Sequence, residues 1–535
     1  MRRLLVANRG EIALRVFRAC GLLGIETVAV AAPDDAGALH ARSADTTVAI
    51  ASYLDAAEIV RAALEADADS VHPGYGFLAE SAEFAEAVLG AGLTWVGPPP
   101  AALRAGGDKL AAKETARAAG VPVLPSGTPE EVGFPLLVKA AAGGGGRGMR
   151  IVRAPDELDE ALAAARREAR AAFGDDTVFC ERYLERPRHV EIQLLADRHG
   201  TVVALGEREC SVQRRHQKVL EESPSTALDP ALRAAMSDAA VAFAHAIGYE
   251  SAGTAEFMLA GRDFWFLELN ARIQVEHPVT ELVTGVDLVR EQLLIAQGER
   301  LDLHPVLSGH AVEVRLYAED PRSFLPQAGR IDRLLLPAGI RVDAGVTEGD
   351  EVGTSYDPMI AKLVAHGQTR DEALDRLATA LRETEVDGVT TNLPFLRWLV
   401  SHPLLRAGAT TTAFLTENPP LSEPPPRAPG PAWRGAWRLN LPGPPPRPAP
   451  DIDATAHDSG PAAEKSAVTS PMPGTVIKVL VAAGDRVAAR DTLVVLEAMK
   501  METPLVSPYD ATVRAVHVAE GDRVSGGAIL VELEE

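Results

Sequence analysis

The 535-residue sequence predicts an α/β fold over about its first 417 residues, then a linker, then a small all-β unit. Three observations carry this reading. Short apolar runs alternate with amphipathic stretches from Leu4 onward, the pattern of strands and helices in succession. Prolines crowd into one segment: 14 of the 39 fall within residues 419–461, including Pro424-Pro425-Pro426 and Pro444-Pro445-Pro446. The last stretch, residues 466–535, repeats itself with a period of 37.

Leu4-Leu5-Val6-Ala7 reads as a buried strand, Asn8-Arg9-Gly10-Glu11 as a loop, Ile12 to Leu23 as a helix and Thr27 to Ala31 as the next strand. That opening is Rossmann-like. His72-Pro73-Gly74-Tyr75-Gly76-Phe77-Leu78-Ala79-Glu80 predicts a turn leading into a helix, with a merely structural role as its alternative. Phe134-Pro135-Leu136-Leu137-Val138-Lys139 is a strand ending in a lysine, and it runs into Gly143-Gly144-Gly145-Gly146-Arg147-Gly148. Consecutive glycines let backbone N–H groups close on phosphate oxygens, and Lys139 adds a point charge beside them. No Gly-Lys-Ser/Thr opens a helix here, so this is not a Walker loop. A flexible surface loop is the competing reading.

The densest constellation is Phe264-Trp265-Phe266-Leu267-Glu268-Leu269-Asn270-Ala271-Arg272-Ile273-Gln274-Val275-Glu276-His277-Pro278. Alternate residues of an extended strand share a face, so Glu268, Asn270 and Arg272 point one way while Leu267 and Leu269 face the core. Continued extension adds Gln274 and Glu276 to the polar face. Gly253 to Leu259 supplies the partner strand, and an odd-length turn at Gly261-Arg262-Asp263 sets Glu256 opposite Glu268. Two carboxylates and an amide oxygen are hard ligands suited to Mg²⁺ holding nucleotide phosphates. The plain alternative is a solvated polar face. Arg315, within Val312-Glu313-Val314-Arg315-Leu316-Tyr317-Ala318-Glu319, sits on a strand where a salt bridge to Glu313 or Glu319 is the simple reading.

Residues 418–465 cannot build a helix or a central strand and lack apolar residues for a core. As a polyproline II tether, the roughly 43 residues of its proline-rich part, 419–461, at about 3.1 Å each span at most ~130 Å. Trp433 and Trp437 interrupt it, read as a short docking element or as incidental linker residues. In the tail, Ser470-Pro471 recurs as Ser507-Pro508 and Thr475-Val476 as Thr512-Val513. Gly484-Asp485-Arg486-Val487 recurs as Gly521-Asp522-Arg523-Val524, and Leu496-Glu497 as Leu533-Glu534. Each copy reads as alternating strands around a Gly-Asp turn, and two copies closing on one another make a barrel without free edges. Residues 498–506 then form an exposed hairpin tip with Lys500 at its apex. A solitary lysine on a rigid β tip suggests a covalent attachment point, against the alternative of an ordinary solvated side chain.

Composition narrows the function classes. A net charge of −22 argues against nucleic acid as a partner. Only eight of the 53 basic residues are lysine, so a lysine here stands more often where a compact ammonium or an amine nucleophile is needed. No run of about 18 apolar residues predicts a membrane span. Met1-Arg2-Arg3-Leu4-Leu5 reaches Asn8-Arg9-Gly10-Glu11 too soon to hold the apolar core of a signal peptide. Cys20, Cys180 and Cys210 are odd in number and widely spaced, which predicts a reduced, cytoplasmic setting.

The tail resembles the biotinyl domains of biotin-dependent carboxylases, whose attachment motif stands here as Ala498-Met499-Lys500-Met501. A lipoyl domain shares that barrel, but its attachment lysine usually follows an acidic residue. Residues 1 to about 417 resemble the ATP-grasp fold and specifically biotin carboxylase. The signatures are Glu181-Arg182-Tyr183-Leu184, Pro187-Arg188-His189-Val190-Glu191, Ser211-Val212-Gln213-Arg214-Arg215-His216-Gln217-Lys218 and Arg272-Ile273-Gln274-Val275-Glu276-His277. The resemblance implies an N-terminal subdomain over 1–108, an ATP-grasp domain over 109–309 with a lid at about 111–183, an α+β C-terminal subdomain over 310–417 and a biotinyl domain over 466–535. It implies that Lys109 and Lys139 contact ATP phosphates, that Gly145 and Gly146 cover them, and that Glu181 and Leu184 line the adenine pocket. His189 and His216 lie by the ribose and phosphates, and Glu256, Glu268 and Asn270 hold magnesium or manganese. Lys218, Arg272, Gln274 and Val275 surround bicarbonate, and biotin is joined by an amide to Lys500. Ala142 stands where many relatives carry a fifth glycine, which bears on lid flexibility.

These assignments imply a mechanism in which Glu276 is the general base on bicarbonate, attack on ATP gives carboxyphosphate, and Arg315 stabilises biotin's enolate. The implied protein is the α subunit of a multi-subunit acetyl-/propionyl-CoA carboxylase, biotinylated by a biotin protein ligase and served by a separate carboxyltransferase subunit. A homodimer of the carboxylase domain is expected. Specificity for methylcrotonyl-CoA, a non-catalytic biotin carrier and a complete single-chain carboxylase are the alternatives. The last needs a further catalytic module, yet only the proline-rich stretch separates the two halves.

Overall fold

Strands β1 (Arg3–Val6), β2 (Glu26–Ala31), β3 (Thr46–Ala49), β4 (Ser70–His72) and β5 (Thr94–Trp95) form a parallel sheet in the order β3-β2-β1-β4-β5. They belong to a computed structural model that describes residues 1–140, 149–173, 176–214, 217–421, 467–471, 474–498, 501–524 and 527–534. Strand order reverses between β1 and β4, and ligands of such sheets bind beyond the carboxyl ends at that point. The loops leaving β1 and β4 both reach one large cavity. Asn8 pins them together, donating from Nδ2 to the carbonyls of Pro73 (2.8 Å) and Tyr75 (2.7 Å). Gly74 is required there. Its φ is +65°, and a Cβ would lie 2.8 Å from Asn8 Nδ2.

A second, four-stranded sheet has the order β6-β9-β7-β8, from β6 (Ser126–Gly127), β7 (Leu136–Ala140), β8 (Arg150–Val152) and β9 (Val178–Arg182). It packs around its own small core of Val132, Leu136, Val138, Val152, Ala165 and Cys180. The main sheet is antiparallel and eight-stranded. It comprises β10 (Arg188–Ala196), β11 (Val202–Arg214), β12 (Gln217–Ser223), β13 (Ser251–Ala260), β14 (Asp263–Asn270), β15 (His310–Tyr317) and the strands Met359–Gly367 and Arg341–Ala344. Its order is β14-β13-β10-β11-β12-β15, then Met359–Gly367 and Arg341–Ala344. Because β12 pairs with β15, one sheet runs across the boundary expected at residues 309 and 310.

Two irregularities in this sheet decide where side chains point. Ala260 pairs with Asp263, so the β13–β14 turn has two residues rather than the expected odd number. Glu256 nevertheless faces Glu268, because Leu267 is an extra residue between the pairs Glu256–Glu268 and Phe257–Phe266. This bulge also overturns the expected alternation. Leu267 lines the cavity beside Glu268, while Phe266 and Leu269 enter the core. The second slip lies between β11 and β12, where Val212 pairs with Leu220 but Gln213 with Lys218. Val219 is the extra residue, and it turns Lys218 away from the face that carries Leu220.

The tail forms two four-stranded sheets around Val476, Leu493, Leu496, Val513, Leu530 and Leu533. The 37-residue repeat maps strand Gly474–Val479 onto Ala511–Val516, and Arg486–Val487 onto Arg523–Val524. The small antiparallel unit is built as two four-stranded sheets that share this core, each with two edge strands among the described residues. The expected tip is shorter than residues 498–506. Met501–Val506 is a strand, and Ala498 pairs with Met501. Lys500, Gly145, Gly146, His216, Ala142, Trp433 and Trp437 lie outside the described residues. The three cysteines are buried and free. No helix among the described residues is long and apolar enough to cross a membrane.

Candidate active site

A cavity of about 1270 Å³ lies between the loops after β1 and β4, the β6–β9 sheet and the main sheet. Lys109, Lys139, Glu181, Leu184, His189, Lys218, Glu256, Glu268, Asn270, Arg272, Gln274, Val275 and Arg315 all line it. Glu276 does not. It is fully buried behind Lys218 and Arg315.

One end is cationic. Asp108 caps the helix Lys109–Ala118 by accepting from the backbone N–H of Leu110 and Ala111, which sets Lys109 and Lys113 one turn apart on the same face. Lys113 and Lys139 both pair with the Glu181 carboxylate. Burial lowers the Lys113 pKa, and Lys139 adds to that effect. Burial raises that of Glu181, but Lys139 and Lys113 outweigh it and hold the group below the usual carboxylate range. The Glu181 side chain is thus occupied by ammonium groups and sets their spacing, a role beyond lining an adenine pocket. Lys113 was not legible as a site residue: only its one-turn spacing from Lys109 signals it.

The centre holds Lys218. Its Nζ lies 2.8 Å from Glu256 Oε1 and 2.7 Å from Glu276 Oε1, and it also pairs with Glu191. Burial opposes the charge, yet Glu191, Glu256 and Glu276 raise the Lys218 pKa well above its ordinary value. Glu276 is the converse: burial raises it, and Lys218, Arg315 and Arg208 take it well below. Arg315 Nη2 lies 3.0 Å from Glu276 Oε2 and 2.5 Å from Glu221 Oε1. Among the described residues Arg315 thus pairs with a neighbour on β12 and with Glu276, rather than making the alternative salt bridge to Glu313 or Glu319. Burial pushes Glu221 up to about 7, with Arg315 opposing and Glu276 assisting.

The wall between these ends comes from β13, β14 and the segment after β14. Arg272 donates to Glu80 Oε2 (3.0 Å), Gln274 Oε1 (3.1 Å) and Asn270 Oδ1 (3.1 Å), while the backbone N–H of Ala271 reaches Glu80 Oε1 (3.1 Å). The 72–80 segment therefore contributes Glu80, which orients Arg272. Strand geometry ends at Asn270. The segment then folds back into the helix His277–Thr284, which takes Glu276 out of the polar row expected for continued extension.

The donor set fits a divalent cation: Glu256 and Glu268 face each other across two strands with Asn270 beside them, all hard oxygen donors. His189 Nε2 lies 2.7 Å from Glu256 Oε2, and Lys109 Nζ lies 3.6 Å from Glu268 Oε2. Among the described residues Arg315 Nε is a buried donor without a hydrogen-bond partner, which fits an acceptor such as a ureido oxygen.

Comparisons with known proteins match this geometry. Residues 1–103 match the biotin carboxylase N-terminal domain, 108–304 the carbamoyl-phosphate synthase L chain ATP-binding domain, 313–417 the biotin carboxylase C-terminal domain and 466–533 the biotin-requiring enzyme domain. The chain is 46% identical over 441 residues to a biotin carboxylase of Halalkalibacterium halodurans, covering 78% of this chain and 98% of that one. It is 43% identical over 561 residues to the biotin-dependent acyl-coenzyme A carboxylase alpha3 subunit of Mycobacterium leprae, covering 94% of each. The biotin carboxylase domain dimer of the Hydrogenobacter thermophilus 2-oxoglutarate carboxylase, solved with MgADP, ADP and bicarbonate, superposes with a TM-score of 0.76. It is 43% identical and covers 78% of this chain and 98% of that one.

Proposed function

We propose a reaction for this chain from one premise: it belongs to the biotin carboxylase family and carries a biotinyl carrier domain on the same polypeptide. It is the α subunit of a multi-subunit acyl-CoA carboxylase. It uses ATP and bicarbonate to carboxylate biotin held on Lys500, and it passes the carboxyl group to a separate carboxyltransferase subunit that acts on acetyl-CoA or propionyl-CoA.

Lys109 and Lys139 bind the ATP phosphates, with Lys113 and Glu181 setting their spacing. Glu256, Glu268 and Asn270 would hold a divalent cation, which would supply further neutralisation of phosphate charge. Arg272, Gln274 and Lys218 orient bicarbonate, and Glu276 takes its proton. Glu276 is ionised but a weak base while two cations hold it; an incoming anion that draws Lys218 or Arg315 away raises its basicity as it binds. The bicarbonate oxygen then attacks the γ-phosphorus, ADP leaves, and carboxyphosphate forms in a site screened from water. Carboxyphosphate breaks its C–O bond to give CO₂ and phosphate, the phosphate takes the N–H proton of the ureido group, and that nitrogen would then bond to the CO₂ carbon. Arg315 stabilises negative charge arising on the ureido oxygen through the unpaired Nε.

The observation that carries this reading is the grip of Lys218 and Arg315 on opposite oxygens of Glu276, at one wall of the cavity that Lys139 also enters. Its test is ATP hydrolysis measured with and without bicarbonate and free biotin. Turnover that needs both supports the reading, and hydrolysis indifferent to bicarbonate overturns it. The near-full-length match to the mycobacterial acyl-CoA carboxylase subunit supports the acyl-CoA assignment. Co-purification with the carboxyltransferase, followed by acetyl-, propionyl- and methylcrotonyl-CoA assays, tests it; preference for methylcrotonyl-CoA would favour that alternative. A biotin protein ligase modifies Lys500 in the cytoplasm, and the carboxylase portion pairs as a homodimer, as in the Hydrogenobacter relative.

A further inference from the structure

We propose that Lys362 is a positioning residue for the bicarbonate step, holding the Gln274-Val275-Glu276 segment in place through its backbone. The inference rests on the function proposed above. Lys362 lies on the strand Met359–Gly367, is fully buried, and does not line the cavity. Its Nζ donates to the carbonyl of Val275 at 2.9 Å and lies 3.1 Å from Glu11 Oε2 and 3.9 Å from Asp343 Oδ2. Glu11 accepts on its other oxygen from the phenol of Tyr75, a cavity-lining residue. One ammonium therefore joins three separate parts of the chain: the helix after β1, the main sheet and the segment that carries Glu276.

The placement of charge argues for a role beyond filling space. In the sheet register Lys362 stands directly opposite Arg315 on one side and Asp343 on the other. Like charges facing each other across strands repel, and a buried ammonium needs oxygen partners. The two cations divide the acids between them. Arg315 takes Glu221 and Glu276, while Lys362 takes Glu11, Asp343 and a main-chain carbonyl. Glu276 is left to Lys218 and Arg315, and its backbone is anchored one residue upstream. The close approach of the partner strand is built in. At Gly345 an added Cβ would lie 2.9 Å from the backbone nitrogen of Glu11.

Lys362→Met keeps the length and removes the charge and the donor. With free biotin as acceptor, the KM for bicarbonate is expected to rise at least tenfold, while the KM for ATP moves less than threefold. Glu11→Gln, which leaves the lysine its oxygen partner but not the charge, should shift the bicarbonate KM in the same direction by a smaller factor. An unchanged bicarbonate KM in a folded Lys362→Met protein, or equal losses for both substrates, overturns the inference. If Lys362→Met does not fold, Glu11→Gln decides by the same criterion. Wild-type protein lacking bicarbonate-dependent activity would instead sink the proposed function itself.

Discussion

Lys218 and Glu276 lie 2.7 Å apart, and each shifts the other's proton affinity in the direction that keeps both charged. The pair sits in a cluster that also holds Glu191, Glu256 and Arg315, so its charges are hard to remove singly.

Lys218→Met should therefore destabilise the protein by about 3–5 kcal/mol at pH 7, because it strands buried carboxylates without their cation. Glu256 and Glu276 have depressed pKa values, so their stabilising contribution is present above the unfolded carboxylate value of about 4.3 and is lost as pH falls through the folded values. Urea denaturation of wild type and variant at pH 7 and pH 4 should show the difference shrinking in acid. A gap that widens on acidification would refute the assigned pairing.

Arg315→Ser should slow carboxylation of free biotin by several orders of magnitude. A loss below about tenfold (~1.4 kcal/mol) would make Arg315 a bystander. ATP hydrolysis followed alongside separates damage to the nucleotide site from damage at the acceptor.

Lys113→Met releases Glu181 to Lys139 alone and should pull Lys139 out of position. The expected result is a rise of about tenfold in the KM for ATP (~1.4 kcal/mol) with a smaller change in kcat. Unchanged ATP kinetics would reduce Lys113 to a structural cation.

Lys500→Arg keeps the positive charge and should abolish biotinylation, seen by intact-protein mass, together with acyl-CoA carboxylation. Carboxylation of free biotin should survive. Its disappearance would contradict a carrier separable from the site that charges it.

Local periodicity was enough to read the strand–helix opening and the 37-residue repeat. Each depends on spacing within a few residues, or on a segment copied further along the chain. Glu256, by contrast, faces Glu268 only because the extra residue Leu267 offsets a two-residue turn. The same spacing could not foresee the extra residues Leu267 and Val219. A bulge is a compromise between strand twist, turn length and packing on both faces. Hence Leu267 enters the cavity where alternation put it in the core, and Lys218 turns toward Glu276.

By itself the sequence determined which groups are present and which local backbone carries them: the lysine of the Leu136–Ala140 strand, the acids of β13 and β14, the arginine of β15 and the duplicated β unit. Only the tertiary structure decided who pairs with whom. Arg315 took Glu221 and Glu276, Arg272 took Glu80, and Lys362 took Glu11. Secondary structure follows from hydrogen bonds and side-chain periods close along the chain. Ion-pair choice in a buried site depends on distances between distant segments, which are set when the whole sheet packs.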